Sequence, residues 1–134
     1  MSDLGSAIEK VFGPICFEKG ILFDLRSDIE DDIWVFSDQV RLNQIIYNLV
    51  NNSVKFTHEG EIVLGLSYSQ GPEITHLHIE VSDTGIGIKK ERLEAIFDPF
   101  VQAEPDTTQR YGGSGLGLAI VQSLTTTMGG KVDV

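Results

Sequence analysis

The sequence predicts one α/β domain in which amphipathic helices accompany a small mixed β-sheet. Apolar residues recur at helical spacing in three segments, and strand-like segments lie between them. Two consecutive strand patterns joined by a short turn predict an antiparallel hairpin. The 134 residues, 41% hydrophobic and 22% charged, are enough for one domain with a core.

The first element is a helix over residues 3–19, with Leu4, Ile8, Val11, Phe12 and Ile15 on its apolar side. Pro14 lies inside this pattern, so we expect the helix to be kinked or divided there. Gly20 ends it.

The later elements follow from the same rules, and Asp38 is the expected N-cap of the second long helix. Strands are predicted at 21–26, 33–36, 61–69 and 75–83, with the beginning of another at 131–134. Helices are predicted from Asp38 to near Thr57, at 89–96 and at 116–128. Residues 97–113 have no clear periodicity, and a loop of that length is usually functional or disordered.

Charge and composition exclude several classes of function. The formal net charge of −10 argues against nucleic-acid binding, and a polyanionic ligand would need a cation or backbone N–H groups. Neither an apolar run of 18 residues nor a leader pattern is present, so we expect no membrane span and no signal peptide. The single cysteine, Cys16, fits an inert core position.

The helix around residues 41–57 has two distinct faces. At roughly 100° per residue, one face is apolar, with Leu42, Ile45, Ile46, Leu49 and Phe56. The other carries Gln44, Asn48, Asn52 and Lys55, although Asn is a poor residue inside a helix. This face either packs under a loop or presents amide oxygens and one ammonium to a metal and phosphates.

Two glycine clusters are the other candidate ligand-binding segments. Residues 83–87, DTGIG, follow a strand and allow close backbone approach, although by themselves a simple turn is the favoured interpretation. Residues 112–117, GGSGLG, open a helix whose N–H groups suit phosphate, but they fit neither a Walker loop nor a dinucleotide fingerprint. His76 and His78 lie two apart on one strand, where an exposed strand face is favoured over a metal site.

Taken together, these segments resemble the ATP-binding domain of sensor histidine kinases, in the GHKL family that also holds the Hsp90, gyrase and MutL ATPase domains. The segments NLVNNSVKFT, IFDPF and RYGGSGLGLAI are most similar to the corresponding sequences of hybrid-type kinases. The resemblance covers nearly all of residues 1–134 and implies the Bergerat fold, a two-layer α/β sandwich with helices on one face of a mixed sheet. It places an N box at about 38–57, glycine boxes at 83–87 and 113–117, an F box at 97–100 and an ATP lid at about 98–113.

For the phosphate end of a nucleotide, the resemblance implies Asn52 as the Mg²⁺ ligand and Asn48 and Lys55 as phosphate-side residues. Gln44 matches a position that is often Glu in the family, and its amide can orient but not deprotonate. Arg110 is a candidate for a γ-phosphate contact, with an exposed loop arginine as the equal alternative. The resemblance implies that the helix N-terminus holds phosphates through Gly113, Ser114, Gly115, Leu116 and Gly117.

For the adenine end, the resemblance implies Asp83 as the acceptor for the N6 amine, which separates ATP from GTP. Gly85, Gly87, Ile88 and Phe56 would form the rest of the adenine pocket. Phe97 and Phe100 would hinge and anchor the lid, and Tyr111 would lie in it.

The resemblance also implies partners. The phosphoacceptor histidine of these kinases lies on a separate dimerisation domain, and phosphoryl then passes to the receiver domain of a response regulator. His58, His76 and His78 do not match that motif, so we expect Mg-ATP binding and phosphoryl donation without autophosphorylation. A cytoplasmic place within a bacterial membrane sensor is implied, with no direct membrane contact by the domain.

Two alternatives remain open, a nucleotide-binding-only module and an ATPase of the gyrase or Hsp90 kind. The family usually continues past the last predicted strand into a further glycine-containing hairpin, whereas this sequence ends at Val134. Either the last strands of the family's sheet are missing from this sequence or something else completes the sheet, and we expect reduced stability.

Overall fold

The computed structural model describes residues 2–30, 32–98 and 116–134, and the side chains from Leu4 onward. The helices are α1 (Ser2–Lys19), α2 (Gln39–Phe56) and α3 (Gly117–Thr127). The strands are β1 (Ile21–Ser27), β2 (Gly60–Gln70) and β3 (Thr75–Asp83). A 3₁₀ turn covers Lys90–Arg92.

The three strands form one mixed sheet in the order β1-β2-β3. β1 pairs with β2 in parallel, from Ile21 opposite Gly60 to Ser27 opposite Leu66. β2 pairs with β3 in the predicted antiparallel hairpin, from Ile62 opposite Asp83 to Gln70 opposite Thr75. α2 connects the parallel pair, because parallel neighbours need a crossover rather than a hairpin. The predicted fold class is confirmed.

The core lies on one face of this sheet. β2 supplies Ile62, Leu64 and Leu66, which alternate with less buried residues as the two-residue period of a strand requires. Two helices cover that face with residues spaced by about one turn: Leu4, Ile8, Phe12 and Cys16 from α1, and Leu42, Ile46, Val50 and Val54 from α2. The sheet and the two helices therefore form two layers.

α2 begins and ends with identifiable contacts. The Asp38 carboxylate accepts a hydrogen bond of 3.2 Å from the N–H of Arg41, as predicted for an N-cap. At the other end, the Lys19 ammonium donates to the carbonyl oxygens of Val54 and, at 3.3 Å, Thr57. Since the last carbonyls of a helix have no partners within it, Lys19 joins the end of α1 to the end of α2.

Pro14 does not divide α1, contrary to one of the two outcomes expected from the sequence. Proline removes one N–H from the helix, which leaves the carbonyl of Lys10 without its usual donor. Both residues are exposed, and at the surface of a helix solvent can take the place of the missing donor. The apolar side of α1 differs from the prediction at Val11 and Ile15, which are partly exposed, whereas Cys16 is fully buried as predicted.

Two predicted strands are wrong. Residues 33–36 and 131–134 are irregular, and neither segment pairs with a strand among the described residues. A strand needs a neighbour to take up its N–H and C=O groups, and a short apolar run cannot supply one. Trp34 and Phe36 are almost fully exposed as a result.

The short helix predicted at 89–96 is also wrong. The chain forms the 3₁₀ turn at Lys90–Arg92 and then irregular turns, with the N–H of Ile96 donating to the carbonyl of Arg92. Lys89 at the N-cap position has no side-chain oxygen to accept from the first turn. A helix this short gains little from its own hydrogen bonds, so its formation depends on tertiary packing.

Within the described part of the chain, no helix combines the length and apolar character needed to cross a bilayer.

Candidate nucleotide-binding site

A cavity of about 810 Å³ is bounded by α2, the end of β3, the loop after it and the beginning of α3. This is within the range of small-molecule sites, about 300–1,000 Å³. The described residues that line it are Asn48, Leu49, Asn51, Asn52, Ser53, Lys55, Phe56, Glu80, Val81, Asp83, Ile86, Gly87, Ile88, Leu93, Ile96, Phe97, Leu116, Gly117, Leu118, Ile120, Val132, Asp133 and Val134.

Asp83 is the last residue of β3, and its carboxylate accepts from two protein donors. Oδ2 accepts from the hydroxyl of Ser53 at 2.8 Å, and Oδ1 accepts from the N–H of Gly85 at 2.9 Å. An ionised carboxylate has about four acceptor positions, so two remain for a ligand. The side chain remains exposed.

Gly85 lies directly behind this carboxylate, where there is no room for a side chain. A Cβ there would lie 2.4 Å from the carbonyl oxygen of Phe56 and 2.9 Å from both Asp83 Oδ1 and Thr57 Oγ1. The Phe56 carbonyl cannot easily move, because it accepts a hydrogen bond of 3.1 Å from the N–H of Ile86. Gly87 is different, since its φ of +72° favours glycine although the space around it is open.

The first residue of α3 lies against the polar face of α2. A Cβ built on Gly117 would be 3.5 Å from both terminal atoms of the Asn52 amide and 3.6 Å from Asn48 Oδ1. The Nδ2 of Asn48 donates to the backbone carbonyl of Gln44 at 2.9 Å, which leaves its Oδ1 directed toward α3. Leu116 has no side-chain oxygen to cap the first N–H groups of α3, so this end of the cavity combines amide oxygens with a helix N-terminus.

Most predicted site residues within the described ranges come together. Asn48, Asn52, Lys55, Phe56, Asp83, Gly87, Ile88, Phe97, Leu116 and Gly117 line the one cavity. Gly85 supports it from behind, whereas Gln44 is exposed and is not among the lining residues. The predictions for Phe100, Arg110, Tyr111, Gly113, Ser114 and Gly115 lie outside the described residues.

The predicted faces of α2 need a correction. Leu49 and Phe56, expected in the core stripe, line the cavity, while Val50 and Val54 take the core positions. Ser53 was missed altogether. It is 7% exposed, and a serine at a core position of the helix was the available signal.

The charges around the cavity bear on what it can hold. Among the described lining residues Lys55 is a cation, whereas Glu80, Asp83 and Asp133 are acids. The described part of the chain has no group of three His, Cys, Asp or Glu side chains able to hold a metal. A triphosphate here would therefore depend on the α3 N-terminus and on a cation that takes neutral oxygen ligands.

Comparison with protein families gives one match across most of the chain. The family described as histidine kinase-, DNA gyrase B-, and HSP90-like ATPase matches residues 37–134. That range contains α2, the sheet strands β2 and β3, and every described residue of the cavity.

Individual proteins give the same result. The autoinducer 2 sensor kinase/phosphatase LuxQ of Vibrio cholerae is 47% identical over 134 residues, which are 100% of this chain but 16% of that protein. The hybrid signal transduction histidine kinase A of Dictyostelium discoideum is 41% identical over 108 residues, 75% of this chain and 5% of that protein. The chain thus spans a small part of these relatives.

Two solved structures have the same fold. Full-length ShkA in complex with AMPPNP superposes with a TM-score of 0.76 at 31% identity, covering 95% of this chain and 25% of that one. A nucleotide-free catalytic domain of the histidine kinase ThkA gives a TM-score of 0.71 at 26% identity, covering 94% and 76% of the two chains.

Proposed function

The chain belongs to the histidine kinase-, DNA gyrase B- and HSP90-like ATPase family, and on that premise we propose that it is the catalytic domain of a hybrid-type sensor kinase. It binds Mg-ATP and donates the γ-phosphoryl group to a histidine on a separate dimerisation domain. One observation carries this proposal: the Asp83 carboxylate and the Asn48 and Asn52 amides line a single cavity of nucleotide size.

The adenine base lies at the Asp83 end. Its exocyclic N6 amine donates to the carboxylate, which the Ser53 hydroxyl and the Gly85 N–H hold from the other side. Guanine has a carbonyl oxygen at that position and would set two acceptors against each other, so the site selects ATP over GTP. Phe56 and Ile88 supply apolar surface beside the base.

The phosphates lie at the α3 end. The first N–H groups of α3 donate to phosphate oxygens, and the helix dipole favours their negative charge. Asn52 would contribute an amide oxygen to Mg²⁺, a cation that prefers oxygen ligands. The neutral amide adds no negative charge beside the triphosphate. When bound, Mg²⁺ supplies a positive charge that neutralises the phosphate oxygens during transfer.

Three further residues orient the transfer. Lys55 extends from the same face of α2 and pairs with phosphate, while Asn48 orients the attacking group or a water through its Oδ1. Arg110 in the lid stabilises the charge that develops on the γ-phosphate. The Gln44 side chain lies outside the cavity lining, so its contribution is the carbonyl that fixes Asn48.

The acceptor histidine belongs to a partner domain. His58, His76 and His78 are exposed, and no histidine is among the described residues that line the cavity. The phosphohistidine then passes its phosphoryl group to an aspartate of a receiver domain, as a phosphorelay of a two-component system. Within the whole protein, this domain works on the cytoplasmic side of the membrane.

The first test is a calorimetric titration of the chain with ATP and with AMPPNP, each with and without Mg²⁺. We expect Mg²⁺-dependent binding, weakened about 10- to 100-fold by Asp83→Asn, because one hydrogen bond to a charged group is lost. Asp24→Asn removes an exposed carboxylate on β1 and is the matched control, which should bind as the unmodified chain does. Absence of binding in a folded sample would refute the proposal.

A second test adds the dimerisation domain and labelled ATP. Acid-labile phosphohistidine on the added domain is the expected product. Release of free phosphate without it would favour an ATPase of the gyrase or Hsp90 kind. Binding with neither product would favour a nucleotide-binding-only module.

A further inference from the structure

Ser53 occupies an unusual place in α2. It follows Asn52 directly, it is 7% exposed, and it shares the inner side of the helix with Val50 and Val54. A serine inside a helix commonly bonds back to the carbonyl four residues earlier. Here its hydroxyl instead donates to Asp83 Oδ2 at 2.8 Å, across the gap between α2 and β3.

With this bond, each oxygen of the Asp83 carboxylate accepts one hydrogen bond from the protein. The Gly85 N–H donates to Oδ1 from the turn after β3, and Ser53 donates to Oδ2 from α2. The terminal torsion of an aspartate side chain is broad, so a single bond leaves the carboxylate plane free to rotate. Because the Asp83 side chain is exposed, it is not fixed by burial, and two donors on different elements determine its plane.

Neighbouring residues of α2 thereby serve opposite ends of the cavity. Successive side chains on a helix differ by about 100° in direction. The Asn52 amide lies against Gly117 of α3, whereas Ser53 reaches Asp83 of β3. One turn of α2 thus sets the separation between the two ends.

We propose that Ser53 is a positioning residue that sets purine specificity, because it orients the Asp83 carboxylate toward the 6-amino group of the base. This role rests on the proposed function, in which Asp83 accepts from that amine. Ser53 itself donates to Asp83 and acts on the nucleotide only through it. Removal of the Ser53 hydroxyl should therefore reduce the gain in affinity that the 6-amino group provides. The affinity for the rest of the nucleotide should fall less.

The test compares Mg-ATP with the Mg²⁺ complex of purine riboside triphosphate, which lacks the 6-amino group. Dissociation constants for both are measured by calorimetry with the unmodified chain, Ser53→Ala, Ser53→Thr and Ser82→Ala. Ser82 precedes Asp83 on β3, is exposed and does not line the cavity, so its variant is the matched loss of a hydroxyl. Melting curves on the same samples report folding.

We expect the unmodified chain to prefer ATP, and Ser53→Ala to reduce that preference about tenfold, the effect of one misdirected hydrogen bond. Ser53→Thr keeps the hydroxyl and should restore the preference, while Ser82→Ala should leave it unchanged. If Ser53→Ala does not fold, Ser53→Cys nearly keeps the volume with a weaker donor and should also lower the preference.

The outcomes separate the two ideas. Equal affinity of the unmodified chain for both nucleotides would overturn the assignment of Asp83, and the role of Ser53 with it. A clear preference for ATP that persists in Ser53→Ala would overturn the role of Ser53 alone. Equal weakening toward both nucleotides would also overturn it, because that pattern belongs to a purely structural residue.

Discussion

At the scale of single residues, Gly85 is the glycine beside the cavity with the least room for a side chain. Its φ is ordinary, but a Cβ would lie 2.4 Å from the Phe56 carbonyl oxygen. We expect Gly85→Ala to lower the free energy of unfolding by about 1–3 kcal/mol, as overpacking does, and to weaken ATP binding, because relief of the contact displaces Asp83. Urea unfolding and calorimetry measure the two effects.

The matched control is Gly13→Ala in α1, where a Cβ meets nothing within 4 Å. Alanine is the better helix former, but Pro14 follows directly and disfavours a helical backbone for a residue with a Cβ, so we expect the free energy of unfolding to change by no more than about 1 kcal/mol in either direction. Unchanged stability of Gly85→Ala would contradict the close contact at that turn.

The residues of the site could be predicted from the sequence to different degrees. Asp83 and Asn52 carry the chemistry that an N6 amine and a hard cation need, and short motifs mark them. Ser53 acts through a bond to a residue 30 positions away, and no local pattern indicates that pairing. The tight space at Gly85 likewise depends on where the Phe56 carbonyl points, which only the folded chain determines.

At the scale of elements, α2 was predicted best, because its cap, length and polar face all follow from local rules. The error lay in the direction of the core face, since apolar residues occur on the cavity side as well, at Leu49 and Phe56. The strand predicted at 33–36 failed for a different reason. Its residues suit a strand, but pairing depends on a neighbour that the sequence does not reveal.

The contact between α3 and α2 gives a prediction that separates binding from stability. A methyl group on Gly117 makes ordinary contacts of 3.5–3.6 Å with the Asn52 and Asn48 amides. Gly117→Ala should therefore fold at least as stably as the unmodified chain, since alanine favours the helix. The methyl occupies the space where phosphate oxygens and Mg²⁺ would lie, so we expect Mg-ATP affinity to fall about tenfold or more.

Calorimetry and thermal melts check this prediction, and Gly13→Ala again controls for a glycine-to-alanine change in a helix. A drop in melting temperature with unchanged affinity would mean that the α3 N-terminus packs on α2 without serving the ligand.

At the scale of the whole molecule, one helix belongs to both the core and the cavity. Ile46, Val50 and Val54 pack on the sheet, while Asn48 and Asn52 face the site from the same turns. α1 is tied to the end of this helix through Lys19. Ligand binding and global folding should therefore be linked, because the site cannot exist without the core that holds α2.

Cys16, the single cysteine, can report this linkage. It is fully buried, and burial raises the pKa of its thiol, so the folded protein holds the unreactive protonated form. Near neutral pH, we expect a thiol reagent to label Cys16 only after unfolding, and Mg-ATP at 100 times its dissociation constant to slow labelling about 100-fold. The same nucleotide without Mg²⁺ is the control and should slow it much less. Labelling that ignores Mg-ATP would show that α1 opens independently of α2, against the shared core of the two helices.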